Sequence, residues 1–318
     1  MAERATVERA TVERATAGRA PVPPAPVERA PAPEAAALPR RGRWLRRLAR
    51  NRNVALGAGI FLVLVLAAIF ASAISTHNPT RLDPVNRLKP PSARNYLGTD
   101  EFGRDVWSLV VHGSRVSLLV GSVTMLLTSL GGVVIGLAAG YYRRLDTIIM
   151  RFTDGLMAFP AILLAIAFMA ARGPGVWNVI LSLSIVYTPR TALLVRSTVL
   201  SLRELDYVQA ARALGRRDAG VAVRHILPNC MAPLLVQGTF IFAYAVLAEA
   251  ILGFLGVGVP PYVPSWGNVI ASGKNVIREA FWVSLFPGIT LTIAGLSLNL
   301  LGDGLRDTLD PRLRVLQR

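Results

Sequence analysis

The sequence predicts an all-α integral membrane protein with six transmembrane helices. Three observations carry this. Of 318 residues, 53% are hydrophobic and only 17% are charged, below the roughly 25% of a soluble domain. The apolar residues fall in six blocks of about 20, the length that crosses roughly 30 Å of hydrocarbon. The basic side chains crowd into alternate connecting segments. These features exclude an ordinary water-soluble enzyme. They also exclude a nucleic-acid-binding protein, despite a net charge of +16, because no compact basic domain carries that charge.

The first element, residues 1–39, is compositionally separate. ERATV at 3–7 recurs at 8–12 and returns as ERATA at 13–17, followed by Pro21, Pro23, Pro24, Pro26, Pro31 and Pro33. Five Arg and five acidic residues cancel. With almost no large apolar residues the segment cannot build a core, so it reads as a disordered cytoplasmic tail. It is a neutral, solvated extension or, alternatively, a docking arm. It offers no apolar stretch for a secretory signal.

Residues 40–53 hold seven Arg interleaved with Trp44, Leu45 and Leu48. On a helix this makes a basic juxtamembrane segment lying on anionic lipid. RNA binding by the same arginines fails on context, because a membrane span begins at the next residue. The transmembrane domain is expected over 54–302. Its spans are Val54–Ile74, Val116–Tyr141, Gly155–Ala171, Val176–Val199, Cys230–Gly256 and Phe281–Leu301. Pro160 and Pro189 fall inside the third and fourth, where neighbouring helices can satisfy freed backbone groups. Residues 303–318 are left as a C-terminal tail.

Orientation follows from Lys and Arg in the connections. With the N-terminus inside, segments 40–53, 142–154, 196–229 and 303–318 hold 20 basic residues. The outside segments 75–115, 172–175 and 258–280 hold nine. Both termini are therefore expected in the cytoplasm. Most of the charge is a topology signal and names no substrate.

Catalytic chemistry finds little support. One cysteine, Cys230, precludes an internal disulfide. His77, His112 and His225 are scattered without metal-ligand spacing. No GxSxG elbow occurs. Gly267-Asn-Val-Ile-Ala-Ser-Gly273-Lys274-Asn275 departs from a phosphate loop in glycine spacing and in Asn275, which stands where a magnesium-ligating hydroxyl belongs. The chain is expected to be no enzyme and to hold no cofactor or metal. Ionisable groups inside spans are sparse. Arg190 is placed to snorkel to headgroups, and Glu249 lies near the outer boundary. The lack of a midplane carboxylate argues against ion-coupled carriage, although Asp154 and Asp303 border spans.

The connection between the fourth and fifth spans is the most informative segment. Tyr207, Ala210, Ala211 and Leu214 follow i, i+3, i+4, i+7 and give a short helix one small apolar stripe. Gly215 ends that helix, because glycine takes positive φ freely. Asp218 is placed to cap a second short helix that Pro228 closes. The stripe fits either insertion into a partner's groove or packing back against the chain's own spans.

Here the sequence resembles a family. Gln209-Ala210-Ala211-x3-Gly215, followed by Leu227-Pro228, is similar to the EAA loop of ATP-binding-cassette (ABC) importer permeases. Leu97-Gly-Thr-Asp-Glu-Phe-Gly-Arg-Asp105, Arg115-Val-Ser-Leu-Leu-Val-Gly121, Arg224-His-Ile-Leu-Pro-Asn229, Gly253-Phe-Leu-Gly-Val-Gly258, Pro264-Ser-Trp-Gly267 and Asn299-Leu-Leu-Gly-Asp-Gly-Leu-Arg-Asp307 extend the match. Together they resemble the C-type subunit of dipeptide/oligopeptide permeases over about residues 45–314.

The resemblance implies a type I ABC importer permease fold with a cytoplasmic coupling helix. It implies pairing with a homologous B-type permease, so that each chain forms half of a pore for di- or oligopeptides. It also implies two ATPase subunits, which carry ATP and Mg²⁺, and an extracytoplasmic substrate-binding lipoprotein. Tyr207, Gln209, Ala210, Ala211, Leu214, Gly215, His225 and Pro228 would form the ATPase-coupling loop. Gly98, Thr99, Asp100, Gly103, Arg104 and Asp105 would form a loop facing the binding protein. Two features depart from the pattern: Gln209 replaces the usual Glu, and the ERATV tail is extra.

Energetics agree. Each tenfold concentration gradient requires about 1.4 kcal/mol, and this sequence shows no energy source of its own. The rival readings are a same-family importer of nickel, glutathione or another small solute, and a stand-alone carrier or channel.

Overall fold

The computed structural model describes residues 51–309. The readings of residues 1–50 and 310–318 lie outside the described residues. The described chain is helical apart from its connections, with one isolated bridge between Thr99 and Asp105. Five helices are long and apolar enough to cross a membrane, or six if one bent pair counts as a single span.

Helix α1 (Arg52–Ile69) begins where the Asn51 side chain accepts from the backbone N–H of Asn53 and Val54. A short α2 (Ala71–Ile74) completes the first expected span. A long loop leads to α3 (Val106–Tyr141), which starts at Val106 rather than at the expected Val116. Asp105 caps it, accepting from the Ser108 N–H. Trp107, His112 and Arg115 interrupt the apolar run and hid this early start. Arg115 is engaged locally, its guanidinium donating to the carbonyls of Ala68 at 2.6 Å and Ile69 at 2.9 Å. A cation there satisfies carbonyls left free at the end of α1.

The third expected span, Gly155–Ala171, is not one helix. Helix α4 (Arg143–Met157) and helix α5 (Ala161–Arg172) meet at 91° across a break at Ala158–Pro160. Pro160 lacks an N–H and disfavours helix in the residue before it. At 1.5 Å per residue α5 is only about 18 Å long, short of a full crossing. Helix α4 is amphipathic, with Met150 and Thr153 buried while Ile148 and Phe152 are exposed.

Helix α6 (Val176–Leu202) follows, with Pro189 inside it. Its main partner is α3. Gly132, Gly136 and Gly140 stack at spacing four on the face turned to α6, where a β-carbon would meet Thr191, Ala192 and Val195, and Val199. Small residues at this spacing let two backbones approach, which is how helices gain van der Waals contact in lipid.

Helix α7 (Asp206–Ala213) is followed by α8 (Asp218–Val221), a π-helical turn at Ala222–Ile226, and α9 (Leu227–Phe254). Segments α8 to α9 form one continuous span-length helix. Helix α10 (Trp266–Gly273) is capped by Ser265, and α11 (Trp282–Leu309) closes the described chain. Since α11 runs through 303, the expected boundary between span and tail falls inside a helix.

Three apolar clusters hold the bundle together. One joins α1, α3, α9, α10 and α11 through Val106, Val110, Phe242, Trp266, Trp282 and Leu298. The second joins α3, α5, α6 and α9 through Val120, Met169, Ile180, Leu183 and Leu252. The third, at the C-terminal end of α3, gathers Tyr141, Val195, Val199, Val208, Ile226 and Cys230. Trp266 locks α10 in place, donating its indole N–H to the Val110 carbonyl at 3.1 Å. The tract Gly267–Gly273 is thus helix, and Lys274 stacks over Phe254 at 5.1 Å.

Candidate functional site

Helix α7 forms from eight residues with Asp206 in its first turn, where a carboxylate complements free N–H groups. It ends in a Schellman arrangement. Gly215 has φ +77°, its N–H meets the Arg212 carbonyl at 2.9 Å, and the Arg216 N–H meets Ala211 at 3.2 Å. Gly215 therefore ends the helix as its sequence position predicts.

The helix has two faces. Val208 is fully buried in the third cluster, and Ala211 packs beside it. Tyr207, Gln209, Ala210 and Leu214 are exposed, Leu214 at 88%. The stripe therefore packs on the chain's own spans through Ala211, while Tyr207, Ala210 and Leu214 stay exposed.

Polar contacts fix the angle of α7. The Gln209 side-chain amide donates to the Arg203 carbonyl at 2.9 Å, tying α7 to the end of α6. The Arg203 guanidinium donates to the Gly140 carbonyl at 3.1 Å. Arg212 lies over the Tyr141 ring at 4.9 Å. The Tyr141 hydroxyl donates to the Asp218 carboxylate at 2.7 Å.

Asp218 therefore does not cap a second helix, contrary to expectation. Arg217 occupies that position, and the Asp218 carboxylate is held by Tyr141. Nor does Pro228 close a helix. It lies in the first turn of α9, directly after the π-helical turn. Its ring excludes a bond to the carbonyl four residues back, and the widened turn accommodates that loss. His225 sits in this turn with its ring Nε2 buried and unbonded among the described residues. Its carbonyl accepts from the Asn229 amide at 2.8 Å, and the same amide reaches the Tyr207 hydroxyl at 3.2 Å.

The second candidate group lies before α3. Gly98 and Gly103 hold positive φ of 78° and 74°, the left-handed region that favours glycine. Asp100 is fully buried; its carboxylate accepts from the Phe102 and Arg104 N–H groups and from the Arg104 guanidinium at 2.7 Å. Thr99 is fully buried, accepting from the Lys89 N–H and donating to the Asn86 carbonyl. Asp105 accepts from Thr76, Asn95 and Ser108. Burial alone would raise the Asp105 pKa. Those hydrogen bonds outweigh burial and hold the carboxyl below its ordinary 3.8. Asp100, Arg104 and Asp105 are thus spent on the loop's own fold.

Two polar groups inside the span-length helices bear on ion coupling and charge placement. Glu249 is fully buried, accepting from the Ser117 hydroxyl at 2.8 Å, so a buried carboxylate does exist between α3 and α9. Hydropathy gave no sign of this, because burial there depends on α10 folding over the pair through Trp266, whose backbone N–H meets the same Ser117 oxygen at 3.2 Å. Arg190 lies about 18 Å along α6 from Leu202, too far for its side chain to reach that end. A charge near a span centre costs about 3 kcal/mol on insertion scales.

An all-helical bundle of five or six spans, with a short surface helix docked at one end, defines a multi-pass membrane protein. The family described as binding-protein-dependent transport system inner membrane component matches residues 132–315. The N-terminal transmembrane domain of oligopeptide transport permease C matches residues 41–91. A Brucella suis protein named for a peptide transport system permease is 52% identical over 270 residues, 85% of this chain and 91% of the relative. The dipeptide transport system permease of Alkalihalophilus pseudofirmus is 42% identical, covering 85% and 89%. The glutathione transport system permease of Pectobacterium atrosepticum is 38% identical, covering 87% and 92%. The chain belongs to the binding-protein-dependent transport inner-membrane component family: it is a permease component of an ABC importer, with that family's type I fold.

Proposed function

We propose that this chain forms half of a pore for di- or oligopeptides in a bacterial inner membrane, with both termini cytoplasmic. The carrying observation is the two-faced α7: an inner face locked to α3 and α6, and an outer stripe of Tyr207, Ala210 and Leu214. A helix so held transmits a push from a partner to the spans beneath it. The partners are a homologous B-type permease, two ATPase subunits that grip the 200–229 loop, and an extracytoplasmic binding lipoprotein. ATP and Mg²⁺ belong to the ATPases, and this chain hydrolyses nothing itself. The turn at Gly98–Asp105 faces the binding protein as a preformed shape.

Peptide is favoured as cargo by the relatives named for peptide transport at 42–52% identity. The test is uptake by the reconstituted complex, offered labelled dipeptide, glutathione and nickel with the binding protein encoded beside it. ATP-dependent dipeptide uptake is expected. Uptake of glutathione or nickel alone would replace the substrate reading. Solute movement by this chain without partners would overturn the coupling reading. A Leu214→Cys variant should crosslink to an ATPase subunit.

A further inference from the structure

A cavity of about 450 Å³ opens where the bent pair α4–α5 breaks, lined by Phe159, Pro160, Val186, Tyr187, Arg190 and Tyr244. Three independent features meet there. Ala158–Pro160 is non-helical backbone at the bend of a pair of helices that together have the length and apolarity of one broken span, and inside hydrocarbon such backbone is tolerated only where it is buried in protein or lines water. Arg190 is exposed and has no carboxylate within ion-pair distance among the described residues. Tyr187 and Tyr244, from α6 and α9, bring amphipathic rings to the same opening.

A guanidinium facing lipid at this depth would be unfavourable, and irregular backbone facing lipid more so. We infer that this cavity is a water-filled station on the translocation path, where Arg190 receives the carboxylate of a passing solute. A guanidinium matches a carboxylate by two parallel N–H donors. The phenols supply further donors, and their ring faces tolerate varied side chains. Pro189 is buried directly before Arg190 and leaves the Ile185 carbonyl without its helical donor. For a peptide, this is recognition of a terminal group that every sequence shares. That substrate assignment rests on the proposed function; the anion site does not.

The experiment uses the full complex, with the native thiol removed by Cys230→Ala and a reporter placed by Tyr244→Cys. Rates of modification by an anionic and a cationic methanethiosulfonate are measured, each relative to free cysteine. The anionic reagent is expected about tenfold ahead, and adding Arg190→Ala should abolish that lead. A thiol that neither reagent reaches, or equal rates with Arg190 in place, overturns the site. In the native background, Arg190→Ala should cut dipeptide uptake per ATP hydrolysed about tenfold, with ATPase stimulation by loaded binding protein retained. Arg190→Lys should restore much of it. Unchanged uptake in Arg190→Ala overturns the role in transport. If the unaltered complex carries no peptide, the peptide reading fails while the labelling result still decides the anion site.

Discussion

Tyr141, the last residue of α3, donates its hydroxyl to the carboxylate of Asp218, the first residue of α8, across 77 positions and 2.7 Å. The same ring lies under Arg212, the last-turn cation of α7. One side chain therefore ties α3 to both sides of the Gly215 turn, and α7 cannot tilt without straining that tie.

Tyr141→Phe keeps the ring and loses only the hydroxyl. One hydrogen bond to a partly exposed carboxylate is worth about 1 kcal/mol. The expected outcome is faster hydrogen exchange over residues 203–217 and less uptake per ATP hydrolysed, with unchanged amounts of protein in the membrane. Asp218→Asn should reproduce the effect. Exchange identical to the unaltered chain would mean that the bond holds nothing.

Gly215 isolates a backbone effect. Nothing lies within 4 Å of where its β-carbon would stand, yet its φ is +77°. Gly215→Val therefore adds a β-carbon that meets nothing and still costs about 1–2 kcal/mol in the left-handed region. Gly215→Asn should be milder, because Asn tolerates that region. Uptake should rank unaltered, then Asn, then Val. A Val variant equal to the Asn variant would show that φ is not what matters there.

These residues also mark what the sequence discloses. Helix α7 and its glycine stop are legible because local periodicity and a left-handed residue decide them. Pro228 misleads because a proline is tolerated in the first turn of α9, where the widened turn before it absorbs the missing bond. The α4–α5 break at Pro160 is invisible to hydropathy, which counts apolar residues and not direction. Glu249, Asp100 and Thr99 read as exposed polar groups in one dimension and are fully buried in three. Their partners Ser117, Arg104 and Asn86 are fixed by loop and helix packing that no local pattern encodes.

Asp105 gives a pH signature. Its pKa in the fold is below the ordinary 3.8, because Ser108, Asn95 and Thr76 together outweigh burial. A lowered folded pKa contributes stability that is present above the unfolded value. That stability is lost as pH falls from about 3.8 through the lower folded value. Hydrogen exchange over 92–110 should therefore accelerate in that acid window in the unaltered chain. Asp105→Asn keeps an acceptor for Ser108 and should flatten the response. Asp105→Ala should lose about 1–2 kcal/mol of local stability at neutral pH, as capping residues do. An acid response equal in Asp105→Asn and the unaltered chain would assign the titration elsewhere.

Gln209 stands where the resemblance to the EAA loop leads one to expect Glu, and its own contact uses the amide. The amide nitrogen donates to the Arg203 carbonyl at 2.9 Å, which an ionised carboxylate cannot do. Gln209→Glu would set a negative charge against that carbonyl at the C-terminal end of α6, where the helix dipole is already negative. The side chain should swing to solvent and free the Arg203 carbonyl, a loss of about 1 kcal/mol at an exposed site. Exchange protection over 203–209 should fall, and ATPase-coupled uptake should fall with it. If uptake rises instead, the charge is being met by a cation on the ATPase, and the contact with Arg203 is secondary to that encounter. Gln209→Met separates the two: it removes the donor without adding charge, so a loss in Met equal to that in Glu assigns the effect to the hydrogen bond alone.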